Sequence, residues 1–236
     1  QYVLTEAQQA FVQTTWEQTE KKLAAEDLRL GAKIPYIPTD HHYQDVGDEQ
    51  ITWWTNGFWP GMLWQLYHAT HQATYRTHAE AIATRLDQAF GDLTKLDHDV
   101  GFVWLNTAVA AYRETGDEQA AHRALQAATL LASRFDPCGD YILAWNGDER
   151  RAQSIIDTMM NIPLLHWASA QSDSPRFAAI ATRHATTAAR VLVRPDGSVN
   201  HIAKFDEHTG EVVAHPGGQG YGEGSAWARG QAWAIY

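Results

Sequence analysis

Hydrophobic positions recur along this chain with the period of a helix much more often than with that of a strand. Phe102, Leu105, Val109 and Tyr112 fall on one face, as do Phe177, Ile180, Ala181, His184, Ala188 and Val191. Steps of three and four residues return a side chain to the same side of a helix, so each set predicts one buried face. Three segments share a layout: LYHATHQATYRTHAEAIATRLD, AYRETGDEQAAHRALQAATLLASRF and WASAQSDSPRFAAIATRHATTAARVL. In each, one helix ends, a short polar turn follows and a second helix begins. Tyr67, Tyr112 and Trp167 occupy matching places, 45 and 55 residues apart. A helical hairpin repeated about every 50 residues predicts a toroid or solenoid of helix pairs, since one pair alone cannot bury its apolar faces. Connections rich in Gly, Pro and aromatics separate the pairs, at 31–57, 135–153 and 194–224. In the last, GSVNHIAKFDEHTGEVVAHPGG has two short alternating runs around EHTGE, which predict a β-hairpin. No linker or low-complexity stretch interrupts the chain, so a single domain over 1–236 is expected.

Composition narrows the partners. With 44% hydrophobic and 19% charged residues, a chain of 236 residues can bury a sizeable core. The net charge of −10 opposes a general phosphate-binding surface, so nucleic acid is not an expected partner. No apolar run reaches the roughly 18 residues of a membrane span, and QYVLTEAQQAF lacks the basic start and apolar core of a signal peptide. Cys138 is the lone cysteine, which excludes an internal disulfide. The expected location is therefore the cytoplasm, with the periplasm left open by trimming of the start. A monomer or weak homodimer is expected.

In a toroid of helix pairs the loops at one end surround a cleft, and chemistry is placed there. These loops hold WWTNGFWPG, KLDHDVGF, LAWNGDERRAQSIIDTMMN and GGQGYGEGSAWARGQAW. Trp53, Trp54, Phe58, Trp59, Trp145, Trp227 and Trp233 lie in or beside them, in a chain with ten tryptophans. Aromatic faces stack on the apolar faces of sugars, and seven gathered at turns favour a carbohydrate ligand; core packing is the alternative for each one. Two carboxylates stand out. Asp99 directly precedes a helix beginning near Gly101, where an N-cap role competes with a functional one. Asp157, in IIDTMMN, occupies the start of a strongly apolar helix. Desolvation there would raise its pKa and a second carboxylate would raise it further, making a general acid near neutral pH. The alternative is a buried Asp held by backbone N–H groups.

Other motifs exclude chemistries. His41, His42, His68, His71, His78 and His98 form no HExxH pattern or similar metal-binding set, and no metal is expected. His184 reads as a core histidine on the apolar face of its helix. GGQGYGEG is not a P-loop, since no Gly-Lys-Ser/Thr follows.

The ordered motifs WTNGFWPGMLW, HDVGF, DTMMN and WARGQAWAIY resemble those of the unsaturated glucuronyl hydrolases, glycoside hydrolase family 88. The resemblance runs from about residue 50 to the last residue. It implies an all-α fold, an (α/α)6 barrel, and a substrate class: short oligosaccharides left by polysaccharide lyases, with a 4,5-unsaturated uronate at the non-reducing end. It also implies hydration of the C4=C5 vinyl ether rather than displacement by two carboxylates. By resemblance Asp157 is the acid/base, and Asp99 is the second essential carboxylate that keeps its partner's pKa high. His201, Gln219, Arg229 and Trp233 match pocket residues, with Arg229 set to oppose the substrate carboxylate. A salt bridge within the barrel is the other use of Arg229. Trp54 looks like the family's stacking Trp, with Trp53 beside it leaving the register open by one, and Trp145 is a looser match. No cofactor is implied. The resemblance further implies about a third more barrel beyond RGQAWAIY, so the chain reads as the N-terminal two-thirds of the domain, with a large apolar edge if it stood alone. The related unsaturated rhamnogalacturonyl hydrolases, or a non-catalytic sugar-binding relative, are the alternatives.

Overall fold

The computed structural model describes residues 3–236, so the first two residues of the N-terminal stretch read above fall outside it. The chain opens with α1 (Glu6–Leu30), started by a reciprocal Thr5–Gln8 capping box. Three helical hairpins follow, as the periodicity predicts. The first is α2 (Phe58–Thr70) with α3 (Ala73–Leu86). The second joins a run made of α4 (Val100–Trp104), a π-helical turn (Leu105–Val109) and α5 (Ala110–Thr115) to α6 (Glu118–Ser133). The third is α7 (Pro163–Ser172) with α8 (Pro175–Leu192), and α9 (Ala228–Ile235) comes last.

The repeat extends to its turns. The first arm of each hairpin ends on a left-handed residue, His71, Gly116 or Asp173, whose N–H bonds the carbonyl of Tyr67, Tyr112 or Ser169. A left-handed cap satisfies one of the carbonyls a helix end leaves open and reverses the chain in few residues. Hairpins then pack side by side, α2 against α5 and α6 against α7. The matched aromatics meet across them, with the Tyr112 and Trp167 rings 6.1 Å apart and edge-on. Leu63, Trp64, Ile82, Leu131, Leu164 and Leu165 are buried in the shared core. Each such side chain stabilises the fold by about 1.5–3 kcal/mol relative to exposure.

Short antiparallel sheets occupy the connections. β1 (Pro38–Thr39) pairs β2 (His42–Tyr43), and β3 (Phe135–Asp136) pairs β4 (Tyr141–Ile142). The predicted hairpin around EHTGE is β6 (Ile202–Phe205) with β7 (Val212–Ala214). Sequence pattern did not show that β5 (Gln153–Ile155) pairs β6 in the register Ile155↔Ile202. That third strand brings the residues just before Asp157 alongside those just after His201. Among the described residues no helix is long and apolar enough to cross a membrane.

Candidate active site

The connections between hairpins converge on one cavity of about 490 Å³. Its walls include Asp99, Asp157, Trp54, Trp145, His201, Gln219 and Arg229, so seven of the eight residues singled out in the sequence share it. Trp233 is the exception. Its ring packs on the apolar cluster containing Tyr141 and Ile156 and meets Tyr236 edge-on at 5.9 Å, and it is not part of the cavity wall.

Asp99 stands at the N-cap position of α4, yet its side chain makes no capping bond. The loop before it is ordered instead by Asp97, whose carboxylate accepts the Asp99 N–H at 3.0 Å. Asp99 is thus left free to face the cavity. Its Oδ1 accepts from Asn161 Nδ2 at 3.2 Å and lies 3.4 Å from His98 Nε2. Burial pushes the Asp99 carboxyl up to about 7, the Asp157 charge adds to this, and the Asn161 bond works against it. An elevated pKa thus falls on Asp99, the carboxylate that the resemblance cast as keeping its partner's pKa high.

Asp157 is not on the apolar helix itself. It sits in a 3-10 turn, Ile156–Met160, ahead of α7, and β5 delivers the chain to that turn. Among the described residues no backbone N–H holds its carboxylate, so it is not the backbone-satisfied buried Asp of the alternative. His201 Nε2 is 3.4 Å from Oδ2 and Arg229 Nε is 3.8 Å from Oδ1. Asp157 Oδ2, His201 Nε2 and Arg229 Nε are buried without a hydrogen-bond partner among the described residues. Three such groups at one point form a polar surface shaped to receive a polar ligand.

His201 is held with one orientation. Its Nδ1 accepts the Gln219 N–H at 3.0 Å, so the neutral ring carries its proton on Nε2, toward Asp157. Gly218 makes this seat possible: it has φ +58°, and a Cβ there would lie 2.0 Å from His201 Nδ1. The rings of Trp227 and Trp145 stand 4.6 and 6.3 Å from the imidazole.

Arg229, in the first turn of α9, lies with its guanidinium 4.1 Å from the centre of the Trp227 ring and 5.0 Å from that of Trp54. Its Nη2 donates to Gln219 Oε1 at 2.6 Å. It faces Asp157 and lines the cavity at the same time. Trp53 and Trp54 both line the cavity, and Trp54 is the one stacked on Arg229. Of the seven clustered aromatics, Trp59 belongs to the core, with Nε1 donating to the Gly31 carbonyl, and Phe58 packs against Trp54 and Phe102.

Sequence reasoning missed several wall residues: Thr52, Asp97, Arg150, Gln153, Ile155 and Met160. It also missed Trp227 as the platform under Arg229. His98, grouped with the unassigned histidines, is fully buried in the site; its Nδ1 is 2.8 Å from Thr158 Oγ1, and burial brings its pKa down to about 4, so it is neutral. His184 is a core histidine whose Nδ1 accepts the Ile142 N–H at 3.1 Å, with burial lowering its pKa to about 3. Among the described residues no group of three or more His, Cys, Asp or Glu is arranged to hold a metal ion.

Comparison with known proteins places this geometry. The chain is 36% identical over 212 residues to the unsaturated glucuronyl hydrolase of Bacillus sp. strain GL1, covering 88% of this chain and 56% of that protein. It is 34% identical over 228 residues to an unsaturated chondroitin disaccharide hydrolase of Streptococcus agalactiae, covering 95% of this chain and 57% of the relative. The chain thus spans a little over half the length of these curated relatives. The crystal structure of the unsaturated glucuronyl hydrolase from Streptococcus agalactiae superposes with a TM-score of 0.86 at 31% identity, covering 100% of this chain and 59% of that one. Such neighbours have the (α/α)6 barrel, in agreement with the helical hairpins. The sequence profile of Glycosyl Hydrolase Family 88 matches residues 32–236, and the chain belongs to that family.

Proposed function

We propose that this chain carries the reacting residues of a hydrolase that removes a 4,5-unsaturated glucuronic acid from the non-reducing end of lyase-generated oligosaccharides. The observation that carries this reading is the facing set of Asp157, His201 and Arg229, with Asp99 in the same cavity and holding a proton near neutral pH. Two buried carboxylates close together do not both ionise readily, so the pair retains one proton at working pH. That proton is what a vinyl ether needs.

In this reading the one proton of the Asp99–Asp157 pair passes to Asp157 and from it to C4, which leaves an oxocarbenium centre at C5. Water adds to C5 and gives its proton back to the Asp157 carboxylate. The resulting hemiketal opens and the leaving sugar departs as an alcohol, so the acid is regenerated and one water is consumed. Arg229 opposes the uronate carboxylate, its plane held by Trp54, Trp227 and Gln219. His201 directs its Nε2–H at Asp157 and steadies the carboxylate after proton transfer. Trp53 and Trp145 supply flat apolar walls for sugar rings. No step calls for a metal or cofactor.

Asp157→Asn in this protein tests this. Loss of the ultraviolet absorbance of the conjugated uronate is followed with an unsaturated chondroitin disaccharide. Turnover should vanish while binding and the fold persist, because the amide keeps the shape but has no such proton to give. Loss of binding and folding together would make Asp157 a structural residue instead.

A further inference from the structure

The side chain of Asn161 is fully buried at the joint between the two acid-bearing segments. Its Oδ1 accepts the backbone N–H of Phe102 at 2.6 Å. A backbone N–H can only donate, so this contact settles which end of the amide faces which way. The NH2 end must then point to the other side, where it lies 3.2 Å from Asp99 Oδ1 and 3.5 Å from both the Asp157 carbonyl and His98 Nδ1. Backbone bonds fix the residue itself, its N–H to the Thr158 carbonyl and its carbonyl to the Leu164 N–H. Gly101 permits the approach, since a Cβ there would lie 2.4 Å from the Asn161 carbonyl oxygen.

We propose that Asn161 is a positioning residue for the reaction: its oriented amide holds Asp99 Oδ1 as an acceptor, so the proton of the carboxylate pair resides on Asp99 Oδ2. Neutral His98 assists from Nε2, 3.4 Å from the same oxygen. Oδ1 thus meets two donors, and an O–H there would set hydrogen against hydrogen. One side chain ties both acids, because Asn161 also closes the turn that carries Asp157. The proposal rests on the vinyl-ether reading above for its catalytic consequence, but the placement of the proton does not.

The other groups around Asp99 are Asp97 and His98 on its own loop, Asp157 on the 3-10 turn, Arg229 on α9 and Arg134 after α6. Asp157 favours the protonated form, whereas Arg229, Arg134 and the Asn161 bond favour the anion. Asn161→Asp keeps an acceptor for the Phe102 N–H while removing the donor to Asp99. The alkaline limb of its pH–rate profile should move up by about one pH unit or more, because a donor to the anion is lost and a like charge is added. Its kcat should fall by about tenfold to a hundredfold with KM little changed, since the carboxyl is no longer held in place. Asn161→Ala should move the limb in the same direction by less. A folded variant whose profile and kcat superimpose on the wild type overturns the proposal.

A measurement on the unmodified protein covers variants that do not fold. With Asn side chains labelled with nitrogen-15, the Asn161 NH2 resonances should shift as Asp99 titrates. Resonances that stay constant through that range overturn the proposal as well. Absence of wild-type turnover with a normal Asn161 titration would instead remove the hydrolase reading and leave the proton placement standing.

Discussion

Replacing Gly101 by alanine tests how the two acids are brought together. An added Cβ would lie 2.4 Å from the Asn161 carbonyl oxygen, 2.6 Å from its Cβ and 2.7 Å from its Cα. Two of these atoms are backbone and the third is rigidly attached to it, so no rotamer change relieves the clash. Ordinary contact needs about 3.5–4.0 Å, so α4 and the turn before α7 would have to part by about 1 Å. Overpacking of this kind costs about 1–3 kcal/mol. In a chain of 236 residues each kcal/mol lowers Tm by about 2–4 °C, so a fall of roughly 2–12 °C is expected. The same movement separates Asp99 from Asp157, and a displacement near 1 Å costs about 10²-fold in rate. Thermal unfolding by circular dichroism reads the first effect. Loss of uronate absorbance, followed well below the variant's Tm, reads the second. An alanine variant with an unchanged Tm and turnover within about twofold of the wild type would refute this account of the joint.

Two further outcomes follow from the electrostatics. The rate should fall as pH rises through about 7, where Asp99 loses its proton and both carboxylates become anionic; a rate flat well above neutrality would contradict the shared proton. The same raised pKa gives a stability contribution fully present below the ordinary aspartate range and lost as pH rises toward 7, because the folded state binds that proton more tightly than the unfolded chain. Arg229→Lys should raise KM by about tenfold with a smaller effect on kcat, since an ammonium cannot lie flat between Trp54 and Trp227 or present a fork to a carboxylate; steady-state kinetics with an unchanged KM would rule out Arg229 as the anion site.

Much of the architecture was legible because it is local. Helix faces follow from steps of three and four residues, and Phe177, Ala181, His184 and Ala188 are buried on α8 as their spacing requires. The hairpin turns follow from residues that tolerate a left-handed conformation beside polar neighbours. The β6–β7 hairpin was also legible, since its strands are joined by one short turn. The candidate acids could be picked out for a related reason: a carboxylate inside an apolar run is locally improbable, and Asp157 stands in such a run.

The surroundings of the two acids were decided only in three dimensions. Desolvation depends on what covers a side chain, and Asp99 meets partners from segments distant in sequence, among them Asn161, whose bond favours the anion, and Asp157, which favours the protonated form. Pairing of β5 with β6 sets His201 beside Asp157, and no pattern within either segment announces the other. Trp233 and Trp54 are both tryptophans in family motifs, yet one turns toward a core cluster and the other toward the cavity. Sequence by itself determined the helix pairs, the acidic and aromatic inventory and the family, because these depend on neighbours a few residues apart and on ordered motifs. Only the tertiary structure decided that burial raises the Asp99 pKa, which rings flank Arg229 and which amide bonds Asp99, because each depends on burial and contacts between segments that meet only when the chain is folded.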